Sequence, residues 1–228
     1  MWTLALSCAF FLCIHLMVSG TSLKEQIIAR IGGPAYYALF SLLSVAGLIA
    51  MCVALAVVRT DKLNHIFWTA PMPLKIIALV VNFFAFFLVT LGLTTPSPTN
   101  LMALWQLPDK SVYGVIRISR HPVLAGIGLW AFMHLICNGN PASWLFFGTL
   151  LGVCALGANN IDRKRLALMG STYASIVKRS SIIPFVAIIE GRTAFAPEEL
   201  GIARMFLAAS MFAVFAMYHE LMFIARAL

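Results

Sequence analysis

One stretch organises the chain, RISRHPVLAGIGLWAFMHLICNGN at residues 117–140. In its basic head, Arg120 directly precedes His121 and Pro122. Proline suits the first turn of a helix, because its fixed φ and missing N–H cost nothing there. The apolar residues that follow therefore predict a helix beginning at Pro122, with His134 about three turns inside it. A polar ring within an apolar span must find a partner, which makes His134 a candidate functional residue.

Apolar runs of similar length recur along the chain. Of the 228 residues, 61% are hydrophobic and only 11% are charged, whereas about a quarter of the residues of a soluble domain are charged. We predict an all-α polytopic membrane helix bundle of about six transmembrane helices, in a single domain that covers residues 1–228. The predicted spans are residues 2–18, 35–58, 74–93, 122–137, 143–158 and 202–224.

Two segments between the spans have their own predicted roles. Residues 163–179 predict an amphipathic helix on the membrane surface, because their apolar residues recur at helical spacing between basic ends. Residues 101–107 are apolar but too short to span, and we expect them to lie in the interface or to re-enter the membrane.

The net charge of +8 comes from basic residues between the spans. Twelve of the sixteen Lys and Arg residues fall on the side of loops one, three and five, which leaves four on the other side. Positive loops stay in the cytoplasm, so both termini are predicted to lie outside. No aromatic-interleaved basic patch is present, and we expect membrane lipid rather than nucleic acid as the partner.

Most catalytic signatures are missing from the sequence. The five cysteines lie in apolar segments and form no Cys-x-x-Cys pair, so a zinc ribbon or a covalently attached haem is not indicated. There is also no His-Glu-x-x-His motif and no convergent pair of carboxylates. The remaining candidates for chemistry are histidines within the spans.

Three histidines, His15, His121 and His134, can face the interior of the predicted bundle. Two neutral imidazoles that face each other across a bundle are the usual protein contribution to a non-covalent haem b. Arg117 and Arg120 stand at a helix mouth, where arginines suit the propionates of a haem. The structural alternative is that each histidine is hydrogen-bonded to a neighbouring helix.

The sequence resembles the NnrU family of integral membrane proteins, which includes the zeta-carotene isomerases. The resemblance is carried by residues 120–140, by Phe146-Phe147-Gly148 and by the blocks at residues 161–165 and 181–192. A first span with an inward histidine before a short basic loop also fits. The likeness extends over nearly the whole chain.

The resemblance implies a haem b whose redox state controls cis–trans isomerisation of a hydrophobic polyene. It places the two haem ligands at His15 and His134. A cysteine implicated in ligand exchange corresponds to Ala131 in this chain, so the redox switch is expected to be weaker. Bacterial NnrU proteins are linked by name to nitrogen-oxide and denitrification metabolism, which implies a bacterial inner membrane location.

The two implied ligands lie at different depths. His15 is about one turn from the predicted cytoplasmic end of its span and His134 about three turns in, so their Cα atoms differ by roughly 13 Å in depth. A haem held by both has its plane strongly tilted toward the membrane plane. His121 lies at the level of His15 and is the alternative second ligand.

A second resemblance is to isoprenylcysteine and phospholipid methyltransferases of membranes. These enzymes also begin a helix with Arg-His-Pro, as at Arg120, and follow it with a surface helix. Gly170-Ser-Thr-Tyr173 and Ile182-Ile-Pro184 match their later motifs, which implies binding of S-adenosylmethionine by Arg120 and His121. Their paired glutamates are absent, with Asp162 and Arg163 near that place. A non-catalytic membrane regulator is the third reading.

Overall fold

The computed structural model describes residues 1–96 and 112–222, which are predominantly helical. A π-helical segment, Cys13–Val18, continues the first helix, and a short 3₁₀ turn covers Pro197–Glu199. Two short strands, β1 (Trp68–Thr69) and β2 (Asn138–Gly139), form an antiparallel pair. In chain order the helices are α1 (Trp2–Leu12), α2 (Leu23–Ile31), α3 (Gly33–Val58), α4 (Met72–Thr94), α5 (Val115–Ile118), α6 (Pro122–Cys137), α7 (Pro141–Met169), α8 (Ser171–Arg179), α9 (Val186–Ile189) and α10 (Ile202–Met222).

Four of the described helices are long and apolar enough to cross a membrane, namely α3, α4, α7 and α10. A fifth span results if the segments Trp2–Val18 and Leu23–Ile31, which meet at a bend of 82°, count as one. Helix α6 is a shorter apolar helix with the predicted bounds. The prediction of an all-α polytopic membrane bundle is confirmed.

The described chain falls into two compact units. The first comprises Met1–Ala78 and Ala131–Gly157. Within it α1 packs closely on α3, because a Cβ atom at Gly47 would lie only 3.2 Å from the Phe10 ring. Small residues allow such close approach of membrane helices. The prediction of a single domain stays a prediction.

The second unit comprises Leu79–Trp130 and the chain from Ala158 onward. Its core contains Ile116 and Ile118 of α5 together with Tyr173 and Ile176 of α8, all nearly inaccessible to solvent. Helix α8 is amphipathic: Tyr173 and Ile176 lie on its buried face, and Lys178 and Arg179 are exposed.

The predicted surface helix at residues 163–179 is divided in the structure. Helix α7 continues beyond the expected end at residue 158 to Met169, and α8 begins after Gly170, whose φ of +53° interrupts the helix. Glycine adopts positive φ without the steric penalty of other residues. The short basic loop predicted between the first two spans contains α2. The segment at residues 101–107 lies outside the described residues.

Candidate functional site

His15 lies in the π-helical segment of the first span. The Ser19 N–H donates to the Ile14 carbonyl oxygen at 3.0 Å, which is the five-residue hydrogen bond of a π-helix. The His15 Nδ1 lies 2.9 Å from the Phe11 carbonyl oxygen. Because a carbonyl only accepts, Nδ1 carries the proton and Nε2 keeps its lone pair. This is the hydrogen bond that orients most metal-binding histidines, and π-helical turns are frequent at functional sites.

Aromatic side chains surround the His15 ring. The centroid of the Phe11 ring lies 4.1 Å from that of His15, and the centroid of Phe40, in an edge-on arrangement, lies 5.3 Å away. Tyr36 is 3% exposed, and its ring stacks on that of Phe40 with a centroid distance of 6.0 Å. The apolar walls of this corner suit a flat hydrophobic ligand.

His134, on α6, belongs to the same unit as His15. Its ring is tilted against Phe147 of α7, with a centroid distance of 4.6 Å. Its carbonyl oxygen accepts a 2.8 Å hydrogen bond from the Asn138 side chain at the end of the helix. Ala131, about one turn earlier on the same helix, is fully buried.

The two histidines remain well separated along the helix axes. Helix α1 starts beside the loop that carries β1, because the Met1 nitrogen lies 2.7 Å from Asp61. Strand β1 pairs with β2, which directly follows α6, so the start of α1 and the end of α6 lie at the same end of the first unit. At 1.5 Å per residue, His15 is about 21 Å along its helix from that end, and His134 is about 6 Å from it. The His15 ring folds back over Phe11, which reduces the difference of about 15 Å by about one turn of 5 Å.

Asp162, near the end of α7, is the centre of a buried polar cluster in the second unit. Its Oδ1 accepts hydrogen bonds from His121 Nε2 at 2.7 Å and from the Tyr173 hydroxyl at 2.6 Å. Its Oδ2 accepts from Arg120 Nη2 at 2.6 Å. Arg120 also donates to the Ser180 hydroxyl at 3.0 Å. The Asp162 carboxylate therefore connects α7 with α8 and with the two residues before α6, and Arg120 extends the network to the residue that follows α8.

This Asp162 cluster is closed to solvent. The side chains of Arg120, His121 and Asp162 are 6%, 2% and 12% exposed. Burial, and then the hydrogen bond to the Asp162 carboxylate, raise the pKa of Tyr173 above its usual value. Charges removed from water are tolerated only when they are paired and hydrogen-bonded, as they are here. The arrangement is that of a structural polar core.

Arg117, the second basic residue of the motif, is also paired. Its Nε and Nη2 donate to the two carboxylate oxygens of Glu199 at 2.7 and 2.8 Å, and its Nη1 donates to Thr193 at 3.0 Å. The Glu199 hydrogen bond raises the pKa of the Arg117 guanidinium. Fork-shaped pairs of this kind are strong and directional. They fasten the segment before α10 to α5.

The five predicted site residues thus separate into two groups. His15 and His134 lie in the first unit, and each is flanked by aromatic rings. Arg117, Arg120 and His121 lie in the second unit with carboxylate partners. Their assignment to a cofactor stays a prediction. Sequence reasoning did not identify Glu199 as a partner, because no motif or spacing links it to Arg117.

The residues around His15 fit the chemistry of a haem ligand. The ring has an oriented Nδ1–H, a lone pair on Nε2 and apolar neighbours. Within the described ranges no group of three or more His, Cys, Asp or Glu side chains could hold a metal ion. A haem with two axial histidines does not need such a group, because the porphyrin supplies the other ligands.

The chain is similar in sequence to a protein family and to individual known proteins. A family model described as NnrU protein matches residues 3–227. The chain is 34% identical over 117 residues to the 15-cis-zeta-carotene isomerase, chloroplastic, of Arabidopsis thaliana, which covers 50% of this chain and 30% of that protein. It is 33% identical over 101 residues to the protein of the same name from Zea mays, covering 42% and 28%. The matches therefore span less than a third of these relatives. No solved structure matches the chain.

Proposed function

The chain belongs to the NnrU family, and we propose that it is a membrane-embedded cis–trans isomerase of a long hydrophobic polyene. In this proposal a haem b is held by His15 and His134. The observation that carries it is the similarity to two zeta-carotene isomerases. The location that goes with it is the bacterial inner membrane, with both termini outside.

The geometry of His15 supports the haem part of the proposal. A haem bound there would supply a redox-active iron and a flat electron-rich surface for a conjugated chain. The Phe11 carbonyl holds the ring in one tautomer and orientation, so Nε2 is the atom that remains for ligation. Phe11 and Phe40 exclude water from the two sides of the ring that they cover. No acid, base or nucleophile is required for rotation about a double bond.

His121 is less suited than His134 to be the second ligand. Its Nε2 is engaged by Asp162, and the side chain is 2% exposed. His134 makes an aromatic contact with Phe147 and belongs to the same unit as His15. The pair His15 and His134 therefore remains the proposed set of residues that would hold the haem.

An apolar substrate fits the surface of this protein. The long helices expose large hydrophobic side chains along most of their length. In α3 and α4, only 22% and 33% of the residues in the most apolar stretch are buried. Such surfaces face lipid in a membrane protein. A polyene would reach the protein from the bilayer rather than from water.

The test is expression of the full chain in bacteria that accumulate 15-cis-zeta-carotene. Chromatography of the pigments, with the membranes reduced or oxidised, should show conversion at the central double bond. His15→Ala should abolish it, and His65→Ala, which changes an exposed loop residue, should not. An unchanged isomer ratio with a haem-loaded protein would exclude the carotenoid substrate and favour a role in nitrogen-oxide metabolism.

The same preparation tests the methyltransferase alternative. Stoichiometric binding of S-adenosylmethionine, lost in Arg120→Ala and His121→Ala, would contradict the isomerase proposal. In the structure both side chains are directed at Asp162. We therefore expect no saturable binding of S-adenosylmethionine in calorimetry.

A further inference from the structure

The hydroxyl of Tyr36 is buried without a hydrogen-bond partner. The residue is 3% exposed, and its Oη has no donor or acceptor within hydrogen-bonding geometry. Ser19 lies near enough to influence it, but the two hydroxyls do not bond in this arrangement. Buried polar atoms are almost always paired, so an orphan of this kind marks the place of a missing partner.

A cation lies against the same ring. The Lys24 ammonium is 5.3 Å from the centroid of Tyr37 and 6.0 Å from that of Tyr36. Lys24 is half-buried, and within the described part of the chain no carboxylate lies within ion-pair distance of it. An ammonium beside an unpaired hydroxyl donor is a combination that recognises an anionic oxygen atom.

This candidate anion-binding site, formed by Lys24 and Tyr36, adjoins His15. Tyr36 stacks on Phe40, and the edge of Phe40 meets the His15 ring at 5.3 Å between centroids. Ser19, which lies near the Tyr36 hydroxyl, directly follows the π-helical segment that carries His15. An imidazole nitrogen, an aromatic wall, a cation and a hydroxyl donor thus occupy one corner of the first unit.

We propose that Lys24 and Tyr36 bind the propionate carboxylates of the haem whose iron is held by His15. This inference rests on the proposed function. Lys24 supplies the positive charge and Tyr36 donates a hydrogen bond to a carboxylate oxygen. The sequence assigns the propionates to Arg117 and Arg120, but both guanidinium groups already bind carboxylates of the second unit.

Titration with haem and with its dimethyl ester, in which both propionates are esterified, distinguishes propionate binding by Lys24 and Tyr36 from a general effect of the substitutions on folding. The full chain, prepared without haem in detergent, is titrated with each compound while the Soret band is followed. Lys24→Gln and Tyr36→Phe should each weaken binding of haem b about tenfold. The ester has no free carboxylate, so it should bind both variants and the wild type equally. Lys62→Gln and Tyr37→Phe are the matched controls, and neither should weaken haem binding.

The apoprotein gives a second readout. Tyr36→Phe removes an unpaired buried hydroxyl, so the haem-free variant should unfold at the same temperature as the wild type or higher. A purely structural role for the hydroxyl would lower that temperature.

Three outcomes would overturn the inference. They are unchanged haem affinity in both variants, an equal loss of affinity for the ester, and a lower unfolding temperature of haem-free Tyr36→Phe. If Lys24→Gln and Tyr36→Phe bind haem as tightly as the wild type, while His15→Ala loses the Soret band, the propionate site would be excluded and the haem proposal would stand. The absence of any Soret band in the wild type would overturn the haem proposal together with it.

Discussion

Tyr173 and Asp162 lie on either side of the helix break at Gly170, and the tyrosine hydroxyl donates to Asp162 Oδ1 at 2.6 Å. This bond joins two helices that are consecutive in the chain. The same carboxylate holds Arg120 and His121 at the start of α6. The Arg-His-Pro motif is therefore part of a buried network whose acceptor lies 42 residues later.

Removal of the central carboxylate should destabilise the protein strongly. Asp162→Ala leaves the buried Arg120 charge without its acceptor, and we expect a loss of about 3–5 kcal/mol in the free energy of unfolding. Glu190→Ala breaks an ion pair with Arg192 in which the glutamate is 52% exposed, and it should cost less than about 1 kcal/mol. Denaturant unfolding in detergent compares the two. Similar losses would contradict a special role of the Asp162 cluster.

Loss of the Tyr173 hydroxyl should have a smaller effect that depends on pH. Tyr173→Phe removes one hydrogen bond to a charged acceptor, which contributes about 1.5–3 kcal/mol. The folded-state pKa of Tyr173 is raised, so its stabilising contribution is complete below the unfolded pKa of about 10 and is lost as the pH rises above it.

Thermal unfolding between neutral and alkaline pH measures this contribution. The stability difference between wild type and Tyr173→Phe should shrink as the pH increases above about 10. Tyr218→Phe, at an exposed position on α10, is the control and should show no such change. A constant difference across the range would argue against the bond to Asp162.

The crossing of α4 and α6 depends on Gly126. A Cβ atom there would lie 2.5 Å from the Ala85 carbonyl oxygen and 2.7 Å from a Val89 methyl carbon. Gly126→Ala should therefore cost about 1–3 kcal/mol through overpacking. Gly148 has no atom within 4 Å of the same position, and Gly148→Ala should stabilise its helix by up to about 1 kcal/mol. Unfolding temperatures that shift in the same direction would contradict this packing.

The visible spectrum tests the proposed haem ligands. His15→Ala or His134→Ala should abolish or shift the Soret band of the purified protein before and after dithionite, because each removes an axial nitrogen. His65→Ala should leave the band unchanged. His121→Ala should leave it in place while reducing stability. Haem loss in His121→Ala but not in His134→Ala would make His121 the second ligand.

Topology is tested by reporter fusions. Twelve of the sixteen basic residues lie on one predicted side, and such asymmetry retains that side in the cytoplasm. A fusion at Leu228 should read periplasmic, and an insertion after Arg179 should read cytoplasmic. A cytoplasmic reading at Leu228 would contradict the predicted topology of six spans with both termini outside.

Local sequence signals predicted the bounds of the helices better than they predicted the contacts between helices. The bounds of α6 are as expected, because Pro122 begins it and an Asn-Gly turn follows Cys137. The surface helix predicted to begin at residue 163 is instead continuous with the preceding span as far as Met169, although the residues after Ala158 are polar. They remain helical because Asp162 is neutralised by Arg120 and bonded by Tyr173, and these contacts depend on the folded arrangement.

The sequence singled out some residues of the candidate site, and their assignment to a cofactor stays a prediction. His15 and His134 followed from their place in apolar spans and from the family resemblance. The π-helical segment around His15 has no recognised composition, and the burial of Tyr36 depends on α2 folding back beside it. Arg120 and Asp162 both belong to blocks noted in the sequence, yet no periodicity connects residues on different helices.

The spacing of Arg120 and Asp162 also determines the order in which the second unit can assemble during synthesis. At about 5–20 residues per second, the ribosome reaches Asp162 about 2–8 s after Arg120. During that interval the guanidinium lacks the carboxylate that it binds in the folded protein. The buried ion pair can therefore form only after α7 has been synthesised as far as Asp162, and the speed of translation across this interval determines how long Arg120 remains without that partner.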